Sequence, residues 1–522
     1  MLPVLVSPKH RMVGVPYAEN ISNLFPAAKS LSHNGGTHLL LPHRPTETYL
    51  LRKLGYDVPS PILTHYTWTG ATPFQSQKAT SAMLTLQQRA YVLNGMGTGK
   101  TKAALWAFDY LRSNNICGKM LVSAPLSTLT FTWAKEIFAT VPHLKYSVLH
   151  GSRAKRLELL SDPDVDIFII NHDGHKVIFN ELLMRKDINV LVIDELAVFR
   201  NGQSSRQKSM KRLADRMEWV WGMTGSPIPT SPTDAWGQAR LVTPNTVPKY
   251  FSRFREDLMV KAGPFKWTPR PDAVERAFAA MQPSVRFTLD DVVELPDLIE
   301  RFIDVEMGPQ QDKIYKALMA QCYAAVQSHE ITAANAGAVM MKLLQVSTGW
   351  VYSKTRDVVP LDNSNRIDAL MDAIEGTDRK VLVFAPFKHA LAGISAALTS
   401  QGYEHAVVDG DTPAQERAKV FSLFQNTEKY RVILAHPQCL AHGITLTAAD
   451  TVIWFAPVMS LEIYDQANHR IRRVGQAHKQ LILHLQSTPI EKKIYKMLQT
   501  KQKVQDKLLK LFEEDTDSNP QR

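Results

Sequence analysis

A chain of 522 residues is too long for one compact core, so two or more domains are expected. With 44% hydrophobic and 21% charged residues the composition is globular and excludes global disorder. The 61 Lys+Arg against 50 Asp+Glu give a net charge of +11, which points to a polyanionic partner. Three scattered cysteines without a CxxC pair exclude a disulfide scaffold or zinc ribbon and favour a reducing compartment.

In chain order, residues 1–70 carry Gly35-Gly36, several prolines and a helical pattern over Pro45–Leu54, and read as a small accessory unit. The opening run Leu2–Val6, followed by Lys9, His10 and Arg11, is too short for a signal peptide and has its charge on the wrong side. No apolar run reaches the ~18 residues of a membrane span. A cytoplasmic protein without membrane contact is expected. Short β-branched runs then alternate with helical patterns. Tyr91–Asn94, Met120–Ser123, Asp166–Ile170 and Val190–Ile193 form one set. Lys380–Phe384, His405–Val408, Arg431–Leu434, Thr451–Phe455 and Gln480–Leu485 form a second. Such runs read as buried parallel strands joined by crossover helices, which predicts an α/β fold with two parallel sheets. The span 246–360, rich in proline, aromatic and charged residues at first and then helical, is taken as the connection. Beyond residue 500 a basic helix and tail are expected; Lys479 to Lys510 holds eight lysines against Glu491 and Asp506.

The segment Tyr91 to Thr101 leads a β-type run into Gly95, Gly97 and Gly99, then Lys100-Thr101 and a helical pattern. This is a phosphate-binding loop in which Asn94 stands where the Gly-x4-Gly-Lys-Thr spacing has its first glycine. Backbone N–H groups of Gly95, Met96, Gly97, Thr98 and Gly99 would close on phosphate oxygens at a helix N-terminus. Lys100 would neutralise the β- and γ-phosphates of ATP, and the Thr101 hydroxyl would bind Mg²⁺. About 95 residues on, the buried run Val190–Ile193 delivers Asp194 and Glu195, the first to hold Mg²⁺ and the second to polarise an attacking water.

The order of further segments resembles the Swi/Snf branch of superfamily-two helicases. Asn94 to Thr101 resembles its Asp-Glu-Met-Gly-x-Gly-Lys-Thr, and Leu121 to Ser127 with Trp133 resembles motif Ia. Ile170 to Asp173 sits at motif Ib, Asp194 to Ala197 at motif II and Gly222 to Ile228 at motif III. Val381–Phe384 is similar to motif IV, and His442 to Asp450 to motif V. Gln466-Ala-Asn-His-Arg-Ile-Arg-Arg-Val-Gly-Gln476 matches motif VI. The resemblance implies two tandem RecA-like P-loop lobes, 71–245 and 361–500, with ATP in the cleft between them. It implies Arg473 and Arg470 as arginine fingers and Gln75 as the adenine-reading glutamine. DNA, double-stranded or branched, would lie against Ser123, Ser127, His172, Thr224, Ser226, Gln438 and His442. Leu196-Ala197 stands where the family has Ala-His, so the polar contact that couples motif II to motif III lacks its histidine here. The short connection resembles that of compact bacteriophage-encoded members, which implies a bacterial host cell. An ATP-driven DNA translocase acting as a monomer is the leading expectation. An ATP-gated clamp or annealing factor, and an RNA helicase, stay open.

Overall fold

A computed structural model describes residues 4–33, 36–263, 266–327, 333–352, 357–440 and 444–500. The chain divides into two compact units, Met1–Val292 and Val293–Arg522. In the first, Val13 and Val15 alternate along Met12–Pro16, and Leu39 and Leu41 along Gly36–Pro42. This period of two buries one face of a four-stranded antiparallel sheet completed by Leu5–Ser7 and Lys29–His33. The helix Pro45–Lys53 follows, with Pro45 in its first turn, Glu47 at the positive end of its dipole and Arg52 and Lys53 at the negative end. Its Leu51 joins the same small core.

Next comes a seven-stranded, wholly parallel sheet. Its spatial order is Ser284–Val285, Arg89–Val92, Trp219–Met223, Ile188–Ile193, Lys119–Ala124, Ile167–Asn171, Tyr146–Val148. Central strands covered on both faces need continuous apolar runs rather than alternation, and Ile188–Ile193 and Trp219–Met223 are buried along nearly their whole length. Trp219 and Trp221 therefore sit in the core. The order places three chain crossings side by side. The loop after Arg89–Val92 carries the phosphate-loop residues and that after Ile188–Ile193 carries Asp194-Glu195. The strand leading to Thr224 lies between them. In open parallel sheets, sites form at such carboxyl ends.

The expected connection at 246–360 is divided between the two units. Phe251–Leu258, the antiparallel pair Met259–Lys261 and Trp267–Pro269, and Ala273–Ala280 belong to the first, and Ser284–Val285 adds a strand to its sheet. Leu298–Asp304 joins the second unit's six-stranded parallel sheet, in the order Leu298–Asp304, Gln480–Gln486, Ala449–Trp454, Lys380–Phe384, Val432–Ala435, His405–Val408. The helix Ser364–Glu375 is pinned to this sheet by Arg366, which is buried and donates to Leu485 O of the strand Gln480–Gln486 at 3.0 Å and to the fully buried Glu491 at 2.7 Å. Among the described residues no helix is long and apolar enough to cross a membrane. The expected basic tail at 501–522 lies outside the described residues, as does His442.

Candidate nucleotide site

The loop between Val92 and Lys100 turns twice through left-handed backbone, at Gly97 (φ +79°) and Gly99 (φ +78°). A Cβ at 99 would also lie 2.1 Å from Gln77 Nε2, so another residue there must displace the end of the Gln77 side chain. Gln77 is the latch of this loop. Its Nε2 donates to Thr98 O at 3.1 Å while its Oε1 accepts from Phe74 N–H at 3.0 Å, the half of a capping box that a phenylalanine at the cap position allows. Gln75, expected to read adenine, is exposed at the first position of the same helix, Gln75–Leu86. The Phe74-x-x-Gln77 spacing was the signal from which Gln77 could have been found.

Asn94 closes the other side of the loop. Its Nδ2 donates to Thr80 Oγ1 at 3.0 Å and its Oδ1 accepts from Phe287 N–H at 3.0 Å. Gly95 N–H donates to Phe287 O at 2.7 Å. The Lys100 ammonium rests on the loop's own carbonyls, Asn94 O at 2.9 Å and Gly95 O at 3.1 Å. Thr98 is buried, its hydroxyl donating to Gly95 O, and Thr101 is half-buried in the first turn of Lys100–Ser113.

Asp194 is buried, and its carboxylate accepts from Trp133 Nε1 at 3.0 Å and from Glu195 N–H at 3.1 Å. Burial, then the charge of Glu195, holds its carboxyl above the usual carboxylate range, opposed by the Trp133 hydrogen bond and by the Lys100 charge. The lysine of the phosphate loop and the acid of the next crossing thus lie within each other's field. Glu195 has left-handed backbone (φ 49°, ψ 51°), a conformation that costs about 1–3 kcal/mol outside glycine and persists mainly at functional sites. Motif III closes against both. A Cβ on Gly225 would touch Met96 at 3.4 Å, and one on Gly222 would lie 2.5 Å from Leu196 Cδ2. The link from motif II to motif III is therefore apolar, Leu196 packing on Gly222, where the family has a polar contact.

These residues fit a magnesium–nucleotide. Mg²⁺ is held by one or two carboxylates together with substrate phosphates, not by an all-protein cage. Asp194 offers a buried carboxylate and Thr101 a half-buried hydroxyl, a donor set of that kind.

Three expected contact residues turn inward. Ser123 is fully buried and its hydroxyl is hydrogen-bonded to His172 Nδ1 at 3.0 Å, so it has no surface to offer DNA. Thr224 is fully buried, and its hydroxyl accepts from Ser226 N–H. Arg470, expected as a finger, is buried: its guanidinium donates to Gln466 O and Ile444 O and ties motif VI to motif V within the second unit. Arg473 is half-buried, bonded to His469 O and, at 3.1 Å, to Thr445 Oγ1. Ser127 and Ser226 are partly exposed, Gln438 is exposed, and His172 is buried.

Two α/β units, each built on a parallel sheet, the first with a glycine-rich phosphate loop and the acid pair Asp194-Glu195, define a tandem P-loop protein of RecA-like lobes. Family models for the SNF2-related domain and the helicase conserved C-terminal domain match residues 77–351 and 365–477. The chain belongs to the SNF2-related family. It is 25% identical over 426 residues to an uncharacterized ATP-dependent helicase of Mycoplasma genitalium, covering 79% of this chain and 40% of that protein. It is also 25% identical to putative protein p41 of Acyrthosiphon pisum secondary endosymbiont phage 1, covering 81% and 94%. The chain thus spans about 40% of the length of the mycoplasmal relative. Among solved structures it is similar to the Sulfolobus solfataricus SWI2/SNF2 ATPase core in complex with dsDNA. There the TM-score is 0.40 at 23% identity, covering 86% of this chain and 96% of that one.

Proposed function

We propose that this chain is a DNA-stimulated ATPase that couples hydrolysis to translocation along, or remodelling of, double-stranded or branched DNA. The observation that carries the reading is that Lys100 and the Asp194-Glu195 pair follow strands of one parallel sheet separated by a single strand, the one that leads into motif III. Family membership supports it, as does a 23% identical relative, ATP-dependent DNA helicase DDM1 of Arabidopsis thaliana.

In this reading Lys100 leaves the carbonyls of Asn94 and Gly95 for the β- and γ-phosphates, and the N–H groups from Gly95 to Gly99 hold phosphate oxygens. Thr101 and Asp194 would hold Mg²⁺, which would supply positive charge to offset that of the phosphates. Glu195 takes the proton of the attacking water, and Arg473 stabilises charge on the transferring phosphoryl. Gln75 meets the adenine edge. Ser127, Ser226 and Gln438 grip phosphates without reading bases, so no sequence preference is expected.

ATPase rate measured alone and with duplex, single-stranded and forked DNA tests this. Stimulation is expected, and Lys100→Ala, Glu195→Gln and Arg473→Ala each lose turnover, the second with nucleotide still bound. For Arg473 the loss should be about 10³-fold or more. Absence of stimulation by any nucleic acid sinks the reading. Displacement of a third strand at a distance from the loading site separates a motor from a clamp.

A further inference from the structure

Motif Ia, whose Ser123 and Ser127 were expected on the DNA side, turns inward to Asp194. Trp133 is fully buried, and its indole N–H donates to Asp194 Oδ2 at 3.0 Å. Asp194 N–H donates in turn to Ser123 O at 2.8 Å, and the Ser123 hydroxyl meets His172 Nδ1. Both groups that fix Asp194 from outside its own loop therefore belong to motif Ia, one through a side chain and one through the main chain.

The local backbone is unusual at this point. Trp133 lies in a π-helical turn, Leu129–Ala134, between the short 3₁₀ turn Leu126–Thr128 and the helix Lys135–Thr140. A π turn holds an extra residue per turn and recurs at functional sites. Here it lets one continuous segment present Leu126, 55% exposed, at the surface and Trp133 at the buried acid. Trp133 and Glu195 N–H occupy one position on each Asp194 oxygen, Oδ2 and Oδ1, which fixes the carboxylate plane and leaves each oxygen a free lone pair.

We propose that Trp133 is a positioning residue that orients the Asp194 carboxylate toward Mg²⁺, and that DNA contact at the Leu126–Thr128 turn reaches the magnesium site through it. The proposal rests on the reading of Asp194 as the magnesium carboxylate. Rotation of the π turn on DNA contact shifts the indole, and the carboxylate follows its hydrogen bond. DNA contact is expected to tighten Mg²⁺ in the nucleotide complex and, because coupling between two sites is reciprocal, Mg²⁺ must then tighten DNA by the same factor.

The test titrates Mg²⁺ into the full chain holding a fluorescent ATP analogue, with and without duplex DNA, for the wild type and Trp133→Phe. Phenylalanine keeps an aromatic ring and removes the N–H. In the wild type, DNA lowers the Mg²⁺ concentration at half-saturation. In Trp133→Phe that concentration rises about tenfold, as expected for one lost charge-assisted hydrogen bond, and no longer responds to DNA, while Mg²⁺-free analogue binding stays within about twofold. ATPase follows the same division, with the Mg²⁺ requirement changing more than kcat at saturating Mg²⁺. A variant whose Mg²⁺ curve matches the wild type, or one that loses Mg²⁺-free binding equally, overturns the positioning role. A wild-type curve indifferent to DNA overturns the coupling whether or not the variant folds. A wild type that binds no nucleotide fails the underlying reading itself.

Discussion

Replacing Arg366 by methionine keeps most of the side-chain length and removes its charge and donors. The guanidinium is 2% exposed and donates to Glu491, which is 0% exposed, to the carbonyls of Ser347, Phe455 and Leu485, and to the Ser487 hydroxyl. Its Cζ also lies 5.2 Å over the Phe455 ring. The substitution strands these acceptors and a buried carboxylate together. Breaking a buried ion pair from one side costs about 3–5 kcal/mol. Glu491 keeps three donors, Ser487 N–H, Thr488 N–H and the Thr488 hydroxyl, so the lower end applies, about 3 kcal/mol. For a unit of this size that is a fall in Tm of roughly 6–12 °C. Thermal unfolding of the full chain by calorimetry at one fixed pH measures it. The double variant Arg366→Met, Glu491→Leu should recover part of the loss, because no charge is then left unpaired. A loss below about 1 kcal/mol, or a double variant no better than the single, would refute the reasoning.

Gly99→Ala combines a left-handed backbone with a Cβ at 2.1 Å from Gln77 Nε2, so nucleotide binding should fall by at least tenfold. Adding Gln77→Ala should restore only part of it, since the backbone cost remains; full recovery would mean that the clash alone mattered. Burial pushes the imidazoles of His175, His389 and His484 down to about 4. In the unfolded chain they titrate near 6.5, so between these values the unfolded state binds more protons. Stability from this source is complete above pH 6.5 and is lost as pH falls toward 4, by up to ~1.4 kcal/mol per pH unit for each histidine. Denaturant unfolding at pH 7.5, 6 and 5 should show the decline, and His484→Gln should flatten it; equal stability across the series would contradict it.

Much of the sheet framework was legible because a strand buried on both faces must be written as an apolar run. Lys380–Phe384 and His405–Val408 coincide with their expected limits, and Val190–Ile193 extends by two residues to Ile188. Leu298–Asp304 went unread because an edge strand tolerates charge. Its residues Glu300, Arg301 and Asp304 break the apolar pattern, and its partner Gln480–Gln486 is remote in sequence. The accessory sheet was hidden by its size, with strands of three to seven residues. At the site, residue types and spacing picked out Lys100, Asp194 and Glu195. They could not tell that Ser123, Thr224 and Arg470 point their polar atoms inward, since burial depends on neighbours from other strands. Trp133 acts through a hydrogen bond across 61 residues, a relation that no local pattern encodes, whereas the local spacing from Phe74 marks Gln77 but not its bond to Thr98 across 21 residues.

Asn94 and Gly95 hold more than the loop. Their carbonyls seat the Lys100 ammonium, and the Asn94 side chain and Gly95 N–H clip the backbone of Phe287. Phe287 is also nearly the last residue of the first unit, which ends at Val292. The covalent tether to the second unit is therefore anchored on the same two residues that seat the lysine. A pull on that tether is a load on the lysine's resting place before it is a load on any other part of the sheet.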